Sequence, residues 1–271
     1  MKKIKVLNIL LICSLMLSGC NLIKEETTNG KTIIPEYTDK INCSILKDVK
    51  MVINQDSINT IVLTNDGELY RLGKYSDGTN CKKIEHNFDI KIIFNQDGCL
   101  YGEDGKFYKI EDEKVIETNE LAINEALFEI IKGIDNIIKV SRDYSDDGMT
   151  FYALKNDGNL YKIVATMIKD KYKLTEEIYK SYSDEKIIDF GISHFDELKY
   201  IKTDKSYYIN KVKDERCYDY DDIKCDYDLV KDDFFTKKYN DISFLYECTG
   251  GHYGCNYILK NGKKYEDHIG G

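Results

Sequence analysis

The chain has 271 residues, of which 39 are basic and 48 acidic, for a net charge of −9. Residues 1–19 carry Lys2, Lys3 and Lys5 and no acid, so the remaining 252 hold 36 bases against 48 acids, net −12. Such an excess argues against phosphate backbones and anionic lipid surfaces as primary partners, and a chain of this length can bury a sizeable core without metals or disulfide staples.

Met1 to Lys5 is a basic start, followed by an apolar core from Val6 to Leu17. That run is too short to span a bilayer in the ordinary way and has the form of a secretory h-region. It ends in Leu17-Ser18-Gly19-Cys20, which resembles the lipobox of bacterial lipoproteins. The resemblance implies a signal peptide over residues 1–19, cleavage between Gly19 and Cys20, and a lipid on the Cys20 thiol. Two acyl chains, each methylene adding about 0.8 kcal/mol, hold a protein to a membrane almost permanently. The expected location is thus the outer face of the cell membrane. The competing reading is an ordinary secretory signal with an incidental cysteine. Residues 20–32 are polar and lack apolar periodicity, as a tether does.

The folded part, residues 33–271, is expected to begin with a strand near Ile33 to Tyr37, where Pro35 suits an edge. This strand would pair with the last of a set of repeats and close a ring. Five apolar leading segments open the repeats: DVKMV at Asp48, DIKII at Asp89, NIIKV at Asn136, EKIID at Glu185 and DISFL at Asp241. Counted from Val49, Ile90, Ile137, Ile187 and Ile242, they lie 41, 47, 50 and 55 residues apart, a period that points to stacked supersecondary units. Each is followed by a turn: Asn65-Asp66-Gly67, Asp104-Gly105, Asn156-Asp157-Gly158, Thr203-Asp204-Lys205 and Asn261-Gly262. Their chemistry predicts two-residue hairpins of type I′ or II′, each leading into a short aromatic-bearing strand such as ELYRL or NLYKI.

In the first repeat the pattern predicts strands at Val49–Asn54, Thr60–Thr64, Glu68–Leu72 and Cys81–Glu85. Runs such as Ile61-Val62-Leu63 and Phe151-Tyr152-Ala153-Leu154 are apolar at successive positions, so both faces of these strands need cover. Neighbouring sheets packed face to face would provide it. Glu120 to Lys132, with Ile123, Leu127, Ile130 and Ile131 at helical spacing, predicts a helix inserted between the second and third repeats, capped by Thr118 or Asn119 and with Gly133 past its end. Lys171 to Lys180 is expected to be an outer strand. The fold class is therefore all-β and propeller-like, with about five four-stranded repeats and one short inserted helix.

Asn136 to Ile163, and less closely Asp48 to Leu72, resemble repeats of the regulator of chromosome condensation family: an apolar opening (Ile137 to Val140), an Ala-Leu pair (Ala153-Leu154), an Asp-Gly turn (Asp157-Gly158) and an aromatic strand (Leu160-Tyr161). The resemblance implies a β-propeller. No repeat here ends in Trp-Gly, the Gly and His usual before the second strand are missing, and five repeats stand where the family usually has seven. That family's nucleotide-exchange role does not transfer with the fold.

Seven cysteines follow Cys20, and export permits disulfides. Cys248 with Cys255, and Cys217 with Cys225, each close a short loop; Cys248, His252 and Cys255 as a metal site is the alternative, at an unfamiliar spacing and without an evident fourth ligand. Asp143, Ser145 and Asp147 have the spacing of the first half of a calcium loop, but Leu154 stands where the closing Glu belongs. Tyr218, Tyr220 and Tyr227 lie in or beside an aspartate-rich run, Asp219 to Asp233; the first reading is a charged outer loop, and tyrosines among carboxylates also suit recognition of a peptide or sugar. No nucleophile elbow, zinc helix, phosphate loop or dinucleotide fingerprint occurs, none of the four histidines has a catalytic neighbourhood in sequence, and no cofactor is expected. The preferred reading is a lipid-anchored module that binds a protein or glycan and not nucleic acid. The alternative is a sugar hydrolase or lyase of the cell envelope using axial carboxylates.

Overall fold

The computed structural model describes residues 36–54, 60–72, 81–94, 99–111, 114–118, 125–143, 149–192, 198–212, 227–249 and 254–265. Its strands form five blades. Strand β1 (Glu36–Lys40) is set aside at first by the chain. Blade one comprises β2 (Val49–Asn54), β3 (Thr60–Thr64), β4 (Leu69–Leu72) and β5 (Cys81–Ile84), close to the bounds expected from sequence. Blade two is β6 (Ile90–Phe94), β7 (Cys99–Gly102), β8 (Phe107–Glu111) and β9 (Lys114–Glu117). Blade three is β10 (Ile137–Asp143), β11 (Met149–Lys155), β12 (Leu160–Ile168) and β13 (Lys171–Lys180). Blade four is β14 (Ile187–Ile192), β15 (Leu198–Thr203), β16 (Tyr207–Val212) and β17 (Tyr227–Lys231). Blade five holds β18 (Ile242–Thr249), β19 (Gly254–Leu259) and β20 (Lys263–Tyr265), and β1 returns as its fourth strand by pairing Glu36 with Tyr265 and Lys40 with Lys263. The expected closure is present, made by a strand that begins at Glu36 among the described residues.

Within each blade successive strands are antiparallel neighbours, and the inner strands of blades two and three also pair in parallel, Lys139 opposite Ile93 and Val140 opposite Phe94. The fold is an all-β propeller. Its core is divided among the gaps between blades. Met51 and Ile53 pack toward Leu100 and Tyr108 of blade two, whereas the intervening Val52 packs toward Phe244 and Ile258 of blade five. Alternate residues of one strand therefore serve two gaps, and this is why the leading segments are apolar at consecutive positions. The other gaps are filled in the same way, Tyr152 and Leu154 against Phe190 and Ile201, and Tyr200 and Tyr207 against Leu245 and Tyr257.

Helix α1 (Glu125–Gly133) lies between blades two and three as expected, with Leu127 and Ile130 buried against Phe94, Val140 and Phe151. One detail of the expectation changes: Gly133 is the last helical residue and does not follow the helix. Thr118 donates its backbone N–H to Phe107 at the end of the β8–β9 ladder, and Asn119 and the expected start at Glu120 lie outside the described residues. A second short helix, α2 (Asp233–Lys237), opens on Asp232, whose Oδ1 accepts from the Phe235 N–H at 2.9 Å.

The turns also differ from the expected type. Gly67, Gly105, Gly158 and Gly262 have φ near +80 to +89°, while the Asn and Asp residues before them keep negative φ. Gly67 donates to Thr64 O at 3.1 Å and Thr64 to Glu68 O at 3.0 Å. This is a type I turn followed by a left-handed glycine, the three-residue hairpin. The aspartate in the middle keeps negative φ because its carboxylate accepts the N–H two residues on, as Asp157 does from Asn159 at 2.9 Å. The same carboxylates take a hydroxyl from the following strand, Tyr108 to Asp104 at 2.5 Å and Tyr161 to Asp157 at 2.6 Å.

Candidate functional site

One backbone hydrogen bond recurs in all five blades. The N–H of Asn65, Glu103, Asn156, Asp204 and Lys260, each within or beside the second-to-third-strand turn, donates at 2.8 to 3.0 Å to Asp48, Asp89, Asn136, Lys186 and Asp241, the residue just ahead of the inner strand. It aligns the repeats residue by residue. In that alignment every inner strand has a register shift at its second residue: Lys50, Lys91, Ile138, Ile188 and Ser243. A bulge re-aims the side chain of the extra residue, and four of these five, Lys50, Ile138, Ile188 and Ser243, line one recess of about 500 Å3 at the end of the axis where the inner strands begin.

Six lysines line this axial mouth, Lys47, Lys50, Lys155, Lys186, Lys202 and Lys260, together with Asn65, Asn156 and Tyr239 and apolar residues that include Ile187 and Ile242. No Asp or Glu lies among its described lining residues. Lys155 is bonded to Glu176 and sits over the Tyr161 ring. Lys202 occupies the slot filled by Leu63, Tyr101, Leu154 and Ile258 in the other blades. Its half-buried ammonium lies 5.8 and 5.7 Å from the Tyr207 and Tyr239 ring centres. Burial pushes its pKa below the ordinary lysine value; Asp189 opposes this and Lys260 adds to it.

Beneath the mouth the axis is closed by a buried ion pair. The residue after each bulge is Met51, Ile92 or Phe244 in three blades, but Lys139 in blade three and Asp189 in blade four. Lys139 Nζ donates to Asp189 Oδ1 at 2.6 Å, to Val52 O at 2.8 Å and to Phe190 O at 2.8 Å, which uses all three of its protons. Asp189 in turn accepts from the N–H of Phe190 at 2.9 Å and of Val52 at 3.2 Å. Burial pushes the Lys139 pKa down and Asp189 pulls it back. Three blades are tied at one point. Gly191 permits this arrangement, since a Cβ there would fall 2.0 Å from Cε1 of Tyr200, whose hydroxyl reaches Asp189.

The residues singled out from sequence lie elsewhere. Cys20, Gly19, Cys217, Cys225, Tyr218, Tyr220, Ser145 and Asp147 fall outside the described residues. Tyr227 opens strand β17 opposite Val212, so it belongs to a blade edge and not to a loop. Asp143 is buried and takes a hydrogen bond from Tyr152, and among the described residues no cluster of three metal-ligating side chains occurs. Cys248 and Cys255 are register partners across β18 and β19, and their side chains lie outside those described. The bridge that is present among the described residues joins Cys43 to Cys81, with Cα atoms 5.5 Å apart, a pair that loop length did not suggest because 38 residues separate them. The axial lysines were also missed. The signal for Lys139 and Asp189 was available: aligned on Val49, Ile90, Ile137, Ile187 and Ile242, opposite charges fill one otherwise apolar column.

No protein-family model matches the chain, so the likeness to regulator of chromosome condensation repeats stays one of motifs. No curated protein matches it either. Among solved structures it is similar to YCF48 bound to D1 peptide, with 8% identity and a TM-score of 0.33 over 79% of this chain, and it spans 62% of that one. The assignment of the fold rests on the strand pairing described above.

Proposed function

We propose that this chain is a lipid-anchored binding module on the outer face of the cell membrane, with the axial mouth as its contact surface for a partner. The observation that carries this reading is the mouth: an open recess of about 500 Å3 whose described lining gathers six lysines and no carboxylate, above an axis sealed by Lys139 and Asp189. The competing hydrolase would need two carboxylates facing across a cleft, roughly 5 to 10 Å apart. The described lining of the mouth supplies neither. Two features support export. One is the lipobox-like Leu17 to Cys20; the other is the Cys43–Cys81 bridge, since disulfides persist in oxidising compartments.

The test uses the full chain with a C-terminal affinity tag in its own cells, fed an alkyne fatty acid and then cross-linked. The wild type is expected in the membrane fraction, labelled, and with a partner attached; Cys20→Ser is expected unlabelled and released. An unlabelled wild type would refute the anchor, and purification of the cross-linked chain alone would refute the binding role.

A further inference from the structure

We infer that the axial mouth takes an acidic peptide segment of a partner protein, an inference that rests on the reading of the mouth as a contact surface. The chain as a whole is acidic, yet this recess gathers six lysines and, among its described lining residues, no acid. Lys50, Lys186, Lys202 and Lys260 form no ion pair among the described residues, and Lys202 holds its ammonium in a position that is apolar in the other four blades. Asp189, the carboxylate that acts on Lys202, is already bonded to Lys139, so the partly desolvated ammonium is a standing cost. An incoming carboxylate offsets that cost, and its attraction is strengthened where water is excluded.

The second recess, about 460 Å3 beside blades one to three, makes the contrast. There Lys91 faces Glu103 at 3.9 Å, and Lys50, which borders both recesses, and Asp135 complete a lining of two lysines and two acids, so its charges are already balanced.

The lining also selects the class of anion. Arginine's planar fork favours bidentate anions, and no arginine is among the described lining residues, so an anion here is held by the separate point charges of lysines. Sugars favour aromatic platforms, and here one tyrosine, Tyr239, lines the recess. What remains is a lining of lysines and isoleucines, with the exposed Asn65 and Asn156 beside them. This suits an extended peptide that places carboxylates and aliphatic side chains alternately and offers its backbone to the amides.

The test measures fluorescence anisotropy of a labelled hexapeptide alternating glutamate and leucine, added to the full chain in detergent. A glutamine and leucine peptide and inorganic pyrophosphate serve as comparisons. The glutamate peptide is expected to bind, to weaken about tenfold from low to high salt, and to weaken about tenfold with each of Lys50→Glu, Lys186→Glu and Lys260→Glu. Lys186→Gln should lose less than Lys186→Glu, and Lys173→Glu on outer strand β13 should lose nothing. Thermal melts of each variant separate lost binding from lost folding. Equal binding of the glutamine peptide, indifference to the reversals, or pyrophosphate binding in place of the peptide would overturn the inference. If the envelope partner is still captured by all three reversed variants, the binding module stands and the acidic-peptide inference falls.

Discussion

Lys139 sits where neighbouring repeats have Met51, Ile92 or Phe244, and the exchange is tolerable because every proton of its ammonium meets an acceptor. Asp189 is satisfied from the other side by backbone N–H groups. A buried pair of this kind adds little net stability over apolar residues of the same size, but removal of one member leaves an unmatched charge. Lys139→Met should therefore lower unfolding stability by about 3–5 kcal/mol in urea denaturation. Lys139→Met combined with Asp189→Leu should lose less than the two single changes added together. If Lys139→Met unfolds at the wild-type urea concentration, the axial pair is not what locks the three blades. The residues of this pair could be read in the sequence once the repeats were aligned, whereas the role of Lys202 could not. A lysine in a strand is an ordinary surface residue until the register places it opposite Asp189.

At the scale of elements, the strand bounds of blade one followed from continuous apolar runs and the turn residues between them. The turn type did not follow. Asn-Asp-Gly and Asp-Gly suit several hairpins, and the choice was made by the aspartate carboxylate, which binds the N–H two residues on and leaves the positive φ to glycine alone. The true two-residue turn lies where no glycine marks it. Lys169 and Asp170, joining β12 to β13, have φ of 50 and 59°, with Ile168 opposite Lys171. A type I′ turn prefers Asn-Gly at these positions. Lys169→Asn with Asp170→Gly should raise stability by roughly 1 kcal/mol, read as an upward shift of the melting temperature. An unchanged or lower melting temperature would mean that the Lys169 and Asp170 side chains compensate for the strain. Helix α1 was legible from its apolar spacing, but its contact with both blades two and three was not, because periodicity gives a face without naming what covers it.

For the whole molecule, the closure of the ring matters most. Strand β1 completes blade five, and three residues later Cys43 is bonded to Cys81 on the outermost strand of blade one. The chain is thus fastened on both sides of the joint between its first and last blades. Cross-linking a loop of this length constrains the unfolded chain by about 2–4 kcal/mol. Cys43→Ser with Cys81→Ser should lower the melting temperature accordingly, and a reducing agent should do the same to the wild type. Insensitivity to both would show that hydrogen bonding of β1 to β20 closes the ring alone.

The sequence by itself determined the repeating unit, the order of strands within it, the two-sided burial of the inner strands and the expectation of a leader over residues 1–19, since each follows from local period or local chemistry. Tertiary structure alone decided which cysteines meet, which charges seal the axis and which lysines share a recess. Those residues are brought together from different blades by the closing of the ring, and no local spacing in the chain records distances across it.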